Sequence, residues 1–327
     1  MHLLSHWASP QEQTMELRHL KTFLAVARTL NFTRAAEQVH LAQSSVTEQI
    51  QALEADLGVA LLDRSRRKLS LTEAGKRLHD YAGDLLSLAE EARASVTEAG
   101  GVTAGVLSVG ALETLSVSRL PPLLAAFRKA HPATELQLKV AGSEALRSGV
   151  KSGTLDVCFA FGEPVPVPGV EYEVIGREPL VVIAPPRHRL AGRAAVTPGD
   201  LADEAFLVTE PGCVYRQMFD AAFPGRPEGA PHRPRLAGEF GSIAAIVRLV
   251  ESGLGCAIVP ALVAADAREP LTVLAWAGEA ASVPVVMSWR ARRSQPAVLR
   301  EFLAASRASP GIVTTAGDRL RHAALSP

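Results

Sequence analysis

Between positions 43 and 51 the chain carries six short or amide-bearing polar side chains: Gln43, Ser44, Ser45, Thr47, Glu48 and Gln51. At helical spacing they make one face that can hydrogen-bond base edges and phosphates without overfilling a DNA major groove. A little further on, Arg64, Arg66, Arg67 and Lys68 place four cations within five positions, which suits contact with phosphates. Thr33 and Arg34 add a hydroxyl and another cation upstream. The chain as a whole offers no such hint, because 34 Lys and Arg balance 34 Asp and Glu and the isoelectric point is about 7.1. Over residues 15–72, eight basic residues against six acidic ones leave a net +2, so clustering rather than total charge is the signal. The plain alternative is a three-helix packing module followed by a solvated, basic turn. Periodicity alone does not separate the two readings.

The elements that must position these groups can be read upstream and downstream of them. Leu20, Phe23, Leu24 and Ala27 follow the spacing of an amphipathic helix, which Asn31-Phe32 interrupts. Thr33 is placed to cap a short second helix with Ala35, Ala36 and Val39 facing inward. A tight turn at His40–Ala42 leads into a third helix, with Val46, Ile50, Leu53 and Leu57 on one stripe and Gly58 as its stop. Two short helices joined by a three-residue turn, the second polar outward, make a helix-turn-helix. The apolar runs Val59–Leu62 and Leu69–Leu71 then read as two strands with a basic tip, a wing. From Thr72 one long helix runs to about Ala99, roughly 40 Å. Its Leu78, Tyr81, Leu85, Leu88 and Ala92 form a seam that wants a partner helix. Packing of that seam on its own chain is the alternative. Gly100-Gly101 marks the end.

Beyond that point strands and helices alternate, which predicts an α/β domain with a largely parallel sheet. Strand-like runs cover residues 106–110, 135–140, 155–161, 180–183, 206–209, 256–259 and 283–289. Helices are expected from Pro121-Pro122 to Lys129, at 143–151, from about Tyr215, at 242–252 and at 297–306. The chain of 327 residues, 47% hydrophobic with mean hydropathy +0.13, predicts two or three globular domains. Cys158, Cys213 and Cys256 are too few and scattered for a disulfide framework or a thiolate metal site. Cys158 and Cys256 read as inert core, and Cys213 as a loop residue near a ligand. His131, His188 and His232 sit near prolines in expected surface turns. No export signal or membrane span is read, so the cytoplasm, with association to the nucleoid, is the expected location. Without a phosphate loop, metal-spaced pair or nucleophile elbow, no catalytic residue, cofactor or metal is expected.

Residues 15–75 resemble the DNA-binding region of LysR-type transcriptional regulators. The resemblance rests on Phe32-Thr33-Arg34-Ala35-Ala36, on Gln49-Ile50 followed by Leu53-Glu54, and on Leu71-Thr72-Glu73-Ala74-Gly75. Two departures stand out. Ala42-Gln43-Ser44 replaces the family's usual Ser-Gln-Pro, which removes a cap hydroxyl and leaves Ser44 or Ser45 to cap a slightly shifted helix. Glu48 stands where the family often has a basic residue.

The resemblance implies a winged helix-turn-helix at 15–72, a dimerisation helix at 73–100 and a two-lobed periplasmic-binding-protein-like effector domain at 101–309. Residues 1–14 and 310–327 are expected to be a flexible extension and tail. The first lobe would hold about 103–164 and 270–309, the second 165–269, with chain crossings near Glu163–Val167 and Arg268–Thr272. The implied partners are double-stranded operator DNA with an inverted repeat, and a second copy through an antiparallel helix pair, extending to a homotetramer. RNA polymerase joins them if the protein is an activator, and no membrane is involved. An effector between the lobes would meet Glu113, Thr114, Ser116, Ser143, Thr209, Cys213, Gly241 and Ser242, at strand ends and helix starts. Glu113 beside such anion-binding groups suggests an amino-acid-like or carboxylate effector. Simple helix capping by Ser143 and Ser242 is the alternative for those two. The rival functions are an enzyme or a small-molecule-binding protein built on the two-lobed domain.

Overall fold

The computed structural model describes residues 15–64, 68–99, 105–223, 234–265, 267, 270–278, 281–292 and 295–309. The expected extension and tail, Arg66, Arg67, Gly100-Gly101 and His232 lie outside them. The chain divides into two compact units, residues 1–101 and 102–327.

In the first unit, α1 (Leu17–Thr29), α2 (Phe32–Val39) and α3 (Gln43–Leu57) bury Leu20, Phe23, Val26, Ala35, Val46, Ile50 and Leu53 against one another. Burying each large side chain is worth roughly 1.5–3 kcal/mol. Leu57, expected on the inner stripe, is exposed, because Gly58 already turns the chain into the left-handed region at φ 66°. The cap of α2 is Asn31 and not Thr33: Asn31 Oδ1 accepts from Arg34 N at 3.0 Å. The amide oxygen reaches the first-turn N–H from one position outside the helix, whereas Thr33 is already helical. For α3, Ala42 is the flanking residue and no side chain caps it. Ser44 and Ser45 therefore do not take over the role, and the helix start is not displaced.

The wing is β1 (Leu62–Asp63) paired antiparallel with β2 (Ser70–Leu71). Glu54 of α3 ties it down. Its Oε1 accepts from Leu61 N at 2.8 Å and Leu62 N at 3.1 Å, and its Oε2 pairs with Arg64 at 3.1 Å. The long helix α4 (Glu73–Ala99) starts where Thr72 Oγ1 accepts from Gly75 N at 3.0 Å. A Cβ at Gly75 would lie 2.1 Å from Leu61 O, so only glycine lets the wing approach this closely. The expected seam of α4 divides in two. Of the seam residues only Leu78 packs on the unit's own core, beside Ala82 and Leu86, which were not expected there, while Tyr81, Leu85, Leu88 and Ala92 remain exposed.

The second unit is built around β6 (Val170–Ala184), a strand of 15 residues. On one side of the unit lie β3 (Val106–Ala111), β4 (Glu135–Val140) and β5 (Val157–Phe161), mutually parallel with β3 central. The helices α5 (Glu113–Ser118), α6 (Leu120–Ala130) and α7 (Ser143–Lys151) connect them. On the other side are β7 (Ala195–Val196), β8 (Ala205–Val208), β9 (Arg235–Glu239), β10 (Ala257–Pro260) and β11 (Thr272–Trp276). They are interleaved with α8 (Val214–Ala222), α9 (Ile243–Glu251) and α10 (Ala261–Ala265). The strand β12 (Ser282–Arg290) and helix α11 (Ala297–Ala308) return to the first lobe, β12 pairing antiparallel with β5.

Both chain crossings fall later than expected. Residues 170–179 of β6 pair with β12, and from Leu180 onward the same strand pairs with β10 and β11. The first crossing is thus at Pro179, and the second lies between Trp276 and Ser282 rather than near Arg268–Thr272, a stretch in which residues 268 and 269 are outside the described set. The proline-rich run at 163–168 imitates a linker but is a loop within the first lobe. The first half of β6 hides because its side chains alternate with solvent. Glu171 accepts from Trp289 Nε1 at 2.7 Å and Glu173 from Arg307 Nε at 2.8 Å, so only the fully buried second half reads as a strand. At the crossing itself Glu178 pairs with Arg119, both buried, their side chains 2% and 4% exposed.

Candidate nucleic-acid interface and effector cleft

The outer face of α3 carries the polar residues that the spacing singled out. Gln43, Ser44, Glu48 and Gln51 are exposed, and Ser45 and Thr47 half-buried. Thr47 Oγ1 donates back to Gln43 O at 3.0 Å, which holds its hydroxyl against the helix. Thr33 Oγ1 reaches Gln43 Oε1 at 3.4 Å, so the start of α2 meets the start of α3. Behind that face Thr22 donates to Gln49 Oε1 at 2.6 Å, locking α3 onto α1. Because no side chain caps α3, its first-turn N–H groups stay available to an anion. Arg34 and Lys68 are exposed cations. Arg64 differs: it is held by Glu54 and lies 5.5 Å from the centre of the Phe32 ring, so it braces the wing. Glu48 and Glu54 thus stand on opposite sides of α3, one facing solvent and one serving as an internal anchor. Sequence reasoning missed Asn31 and Glu54; the Glu54 signal was its position directly ahead of a run whose backbone N–H groups needed acceptors.

In the second unit the strand ends and helix starts bring several expected residues together. Thr114, buried in α5, shares a 2.6 Å hydrogen bond with Tyr215 of α8. These residues belong to different lobes. Tyr215 also packs edge-on to Phe161, ring centres 6.3 Å apart. Burial pushes the Tyr215 phenol above its ordinary pKa, opposed by the Thr114 hydrogen bond, with Cys213 and Glu113 adding a smaller upward push. Glu113, Thr114, Cys213 and Tyr215 therefore form one neighbourhood. Glu113 is exposed, Cys213 is the N-terminal flank of α8, and Ser116 turns its hydroxyl to Glu113 O at 2.7 Å. Thr209 follows β8, 3% exposed, and its Oγ1 has no hydrogen-bond partner among the described residues. The buried Oγ of Ser143 is in the same state. Gly142, not Ser143, flanks α7, so Ser143 is the first helical residue and its hydroxyl is not a cap. Ser242 does cap α9, accepting from Ala245 N at 3.4 Å. Gly241 lies beside Glu210, whose Oε1 would stand 3.3 Å from a Cβ placed there. Tyr215 was not singled out from the sequence; its place two residues into a helix after Cys213 was the available signal.

Residues 17–76 match the family described as bacterial regulatory helix-turn-helix protein, lysR family, and residues 100–310 match the LysR substrate binding domain. The chain is 32% identical over 292 residues to the Hca operon transcriptional activator HcaR of Escherichia coli K12, covering 89% of this chain and 96% of that protein. It is 36% identical over 287 residues to the transcriptional regulator CbbR of Xanthobacter flavus, covering 85% and 82%. Among solved structures it resembles CbnR, a LysR family regulator, with TM-score 0.60, 30% identity and coverage of 90% and 99%. Full-length CbnR complexed with its target DNA aligns with TM-score 0.54 and 32% identity over 90% of this chain and 99% of that one.

Proposed function

Because the chain belongs to the LysR family of transcriptional regulators, pairing a winged helix-turn-helix with an effector-binding domain, we propose how it binds each partner. The protein binds an inverted-repeat operator as a homodimer or homotetramer. Gln43, Ser44, Ser45, Thr47, Glu48 and Gln51 face the major groove, and Thr33, Arg34, Arg66, Arg67 and Lys68 lie along the phosphates, while Arg64, paired with Glu54, braces the wing that presents them. The exposed Tyr81, Leu85, Leu88 and Ala92 of α4 supply the contact to a second copy, and the two-fold axis of that contact imposes the inverted repeat. The effector is an amino-acid-like molecule or another small carboxylate. Its anionic end is held by Ser143, Thr209 and Ser242, and its other end by Glu113, with Thr114, Ser116, Cys213 and Gly241 around it. The protein acts by binding and not by catalysis, in the cytoplasm on the nucleoid, and touches RNA polymerase where it activates.

The carrying observation is that two buried hydroxyls, Ser143 Oγ and Thr209 Oγ1, have no hydrogen-bond partner among the described residues. A buried hydroxyl left unpaired costs about 1–3 kcal/mol, which an anion accepting from both relieves. DNase footprinting with the purified full-length protein tests the DNA half. Protection should centre on an inverted repeat and vanish in Arg34→Ala with Arg66→Ala; protection that survives both changes sinks it. Calorimetric titration of a panel of amino acids and carboxylates tests the effector half. Thr209→Val should weaken the ligand that binds, and unchanged affinity removes Thr209 from the site.

A further inference from the structure

Three side chains of different chemistry converge in the second lobe, at the end farthest along β6 from its crossing at Pro179. Cys256 directly precedes Ala257, which pairs with Ile183 near the end of β6, and His188 follows that same strand end. Glu204 directly precedes β8. His188 Nε2 lies 3.1 Å from Glu204 Oε2 and 3.8 Å from Cys256 Sγ, and the three donor atoms all fall within 4.8 Å of one another. Bonds of about 2.0–2.3 Å meeting at a tetrahedral angle put nitrogen–oxygen and nitrogen–sulfur edges near 3.3–3.6 Å. The observed separations bracket those edges.

Ordinary hydrogen bonding accounts for only part of this arrangement. His188 Nδ1 accepts from Leu190 N at 3.4 Å, a weak contact, which in the neutral ring assigns the proton to Nε2, the nitrogen facing Glu204. That leaves Cys256 beside a nitrogen already engaged. The thiol is fully buried, and desolvation, with Glu204 nearby, pushes its pKa up to about 12, partly offset by Arg189. Arg189 Nε holds the other carboxylate oxygen, Glu204 Oε1, at 2.7 Å, and its Nη2 donates to Asp200 O at 2.9 Å. The carboxylate is therefore oriented, with one oxygen turned inward, in the manner of an outer residue that aims a metal ligand.

We propose that His188 Nε2, Glu204 Oε2 and Cys256 Sγ form a three-ligand site for zinc(II), its fourth position taken by water. The nitrogen, oxygen and sulfur set favours zinc over magnesium or calcium, which demand oxygen ligands. On binding, the Cys256 S–H bond breaks, its proton leaves to solvent and the sulfur electron pair bonds to the metal. The imidazole proton moves from Nε2 to Nδ1, freeing the Nε2 lone pair at the expense of the Leu190 contact. One proton is released for each zinc bound, so affinity rises about tenfold per pH unit while the thiol is protonated. The site joins the loop after β6, the segment before β8 and the turn before β10. Its role is to staple the lobe, apart from the strand ends that face the effector.

Cobalt(II) titration of the tag-free, full-length protein tests this directly. One equivalent should bind with a thiolate-to-cobalt charge-transfer band in the near ultraviolet, and zinc should displace it and raise the melting temperature. Cys256→Ser and His188→Gln should each abolish the band and weaken zinc binding by at least about 100-fold, whereas Cys213→Ser should leave both unchanged. The His188 side chain is 10% exposed against 1% for Cys256, so His188→Gln decides the matter if Cys256→Ser fails to fold. Absence of the band in the unaltered protein, or a band that persists in His188→Gln, overturns the site.

Discussion

The outer face of α3 and the strand ends of the effector domain are made of the same groups, hydroxyls with a few amides and carboxylates, under opposite solvation. On α3, Gln43, Ser44, Glu48 and Gln51 stand in water and lose nothing before DNA arrives. In the effector domain, Thr209 Oγ1 and Ser143 Oγ are already withdrawn from water without a hydrogen-bond partner among the described residues. One surface holds its polar groups in reserve, and the other carries an unmet hydrogen-bonding demand. The difference teaches which observable each region moves: affinity for the first, stability together with affinity for the second.

That contrast can be broken most forcefully at the lobe crossing. Arg119→Met takes the guanidinium away from the buried Glu178 carboxylate and should destabilise the effector domain by about 3–5 kcal/mol in chemical denaturation. The double change Arg119→Met with Glu178→Leu should recover most of the loss; no loss in the single variant would mean that burial in this domain is not the constraint it appears from geometry. In the first unit the comparable anchor is internal. Glu54→Ala frees Leu61 N and Leu62 N, and should lower stability by roughly 2 kcal/mol and loosen the wing, seen as faster amide exchange there. Smaller effects sharpen the comparison. Tyr215→Phe removes one hydroxyl from the Thr114 bond and should cost about 1 kcal/mol, read as a fall in thermal midpoint. Thr209→Val replaces an unsatisfied hydroxyl with a methyl and should be neutral or stabilising by up to about 1 kcal/mol while effector affinity falls. On the exposed face, Glu48→Gln should leave stability within about 0.5 kcal/mol and tighten DNA binding at low salt; a stability change as large as that of Tyr215→Phe would erase the distinction.

The helical part of the first unit was legible because its signals are local. The stripe of Val46, Ile50 and Leu53 and the stop at Gly58 follow from period and backbone preference, and all appear in α3. The caps were less legible. Asn31 and Thr33 are both good caps, and which one serves depends on where the chain first becomes helical, a choice made by how α1 packs on α2. In the effector domain the short buried strands were visible, but the 15 residues of β6 were not, since its solvated half and its buried half obey different patterns. The neighbourhood of Glu113, Thr114 and Cys213 was anticipated from strand ends, while Tyr215 between them was not. Its hydroxyl acquires meaning only when α8 faces α5.

The polar face of α3 was therefore determined by sequence alone, since residues three and four apart share a helix face whatever surrounds them. The division of the α4 seam was decided in three dimensions. Leu78, Tyr81 and Leu85 are indistinguishable as a repeat, yet the first packs inward and the other two remain in solvent. Tertiary structure likewise decided that Pro179 is the crossing, that Arg119 and Glu178 meet there, and that His188, Glu204 and Cys256 converge. Each of these joins residues far apart in the chain, and such pairings are set by the packing of whole elements, which no local period encodes.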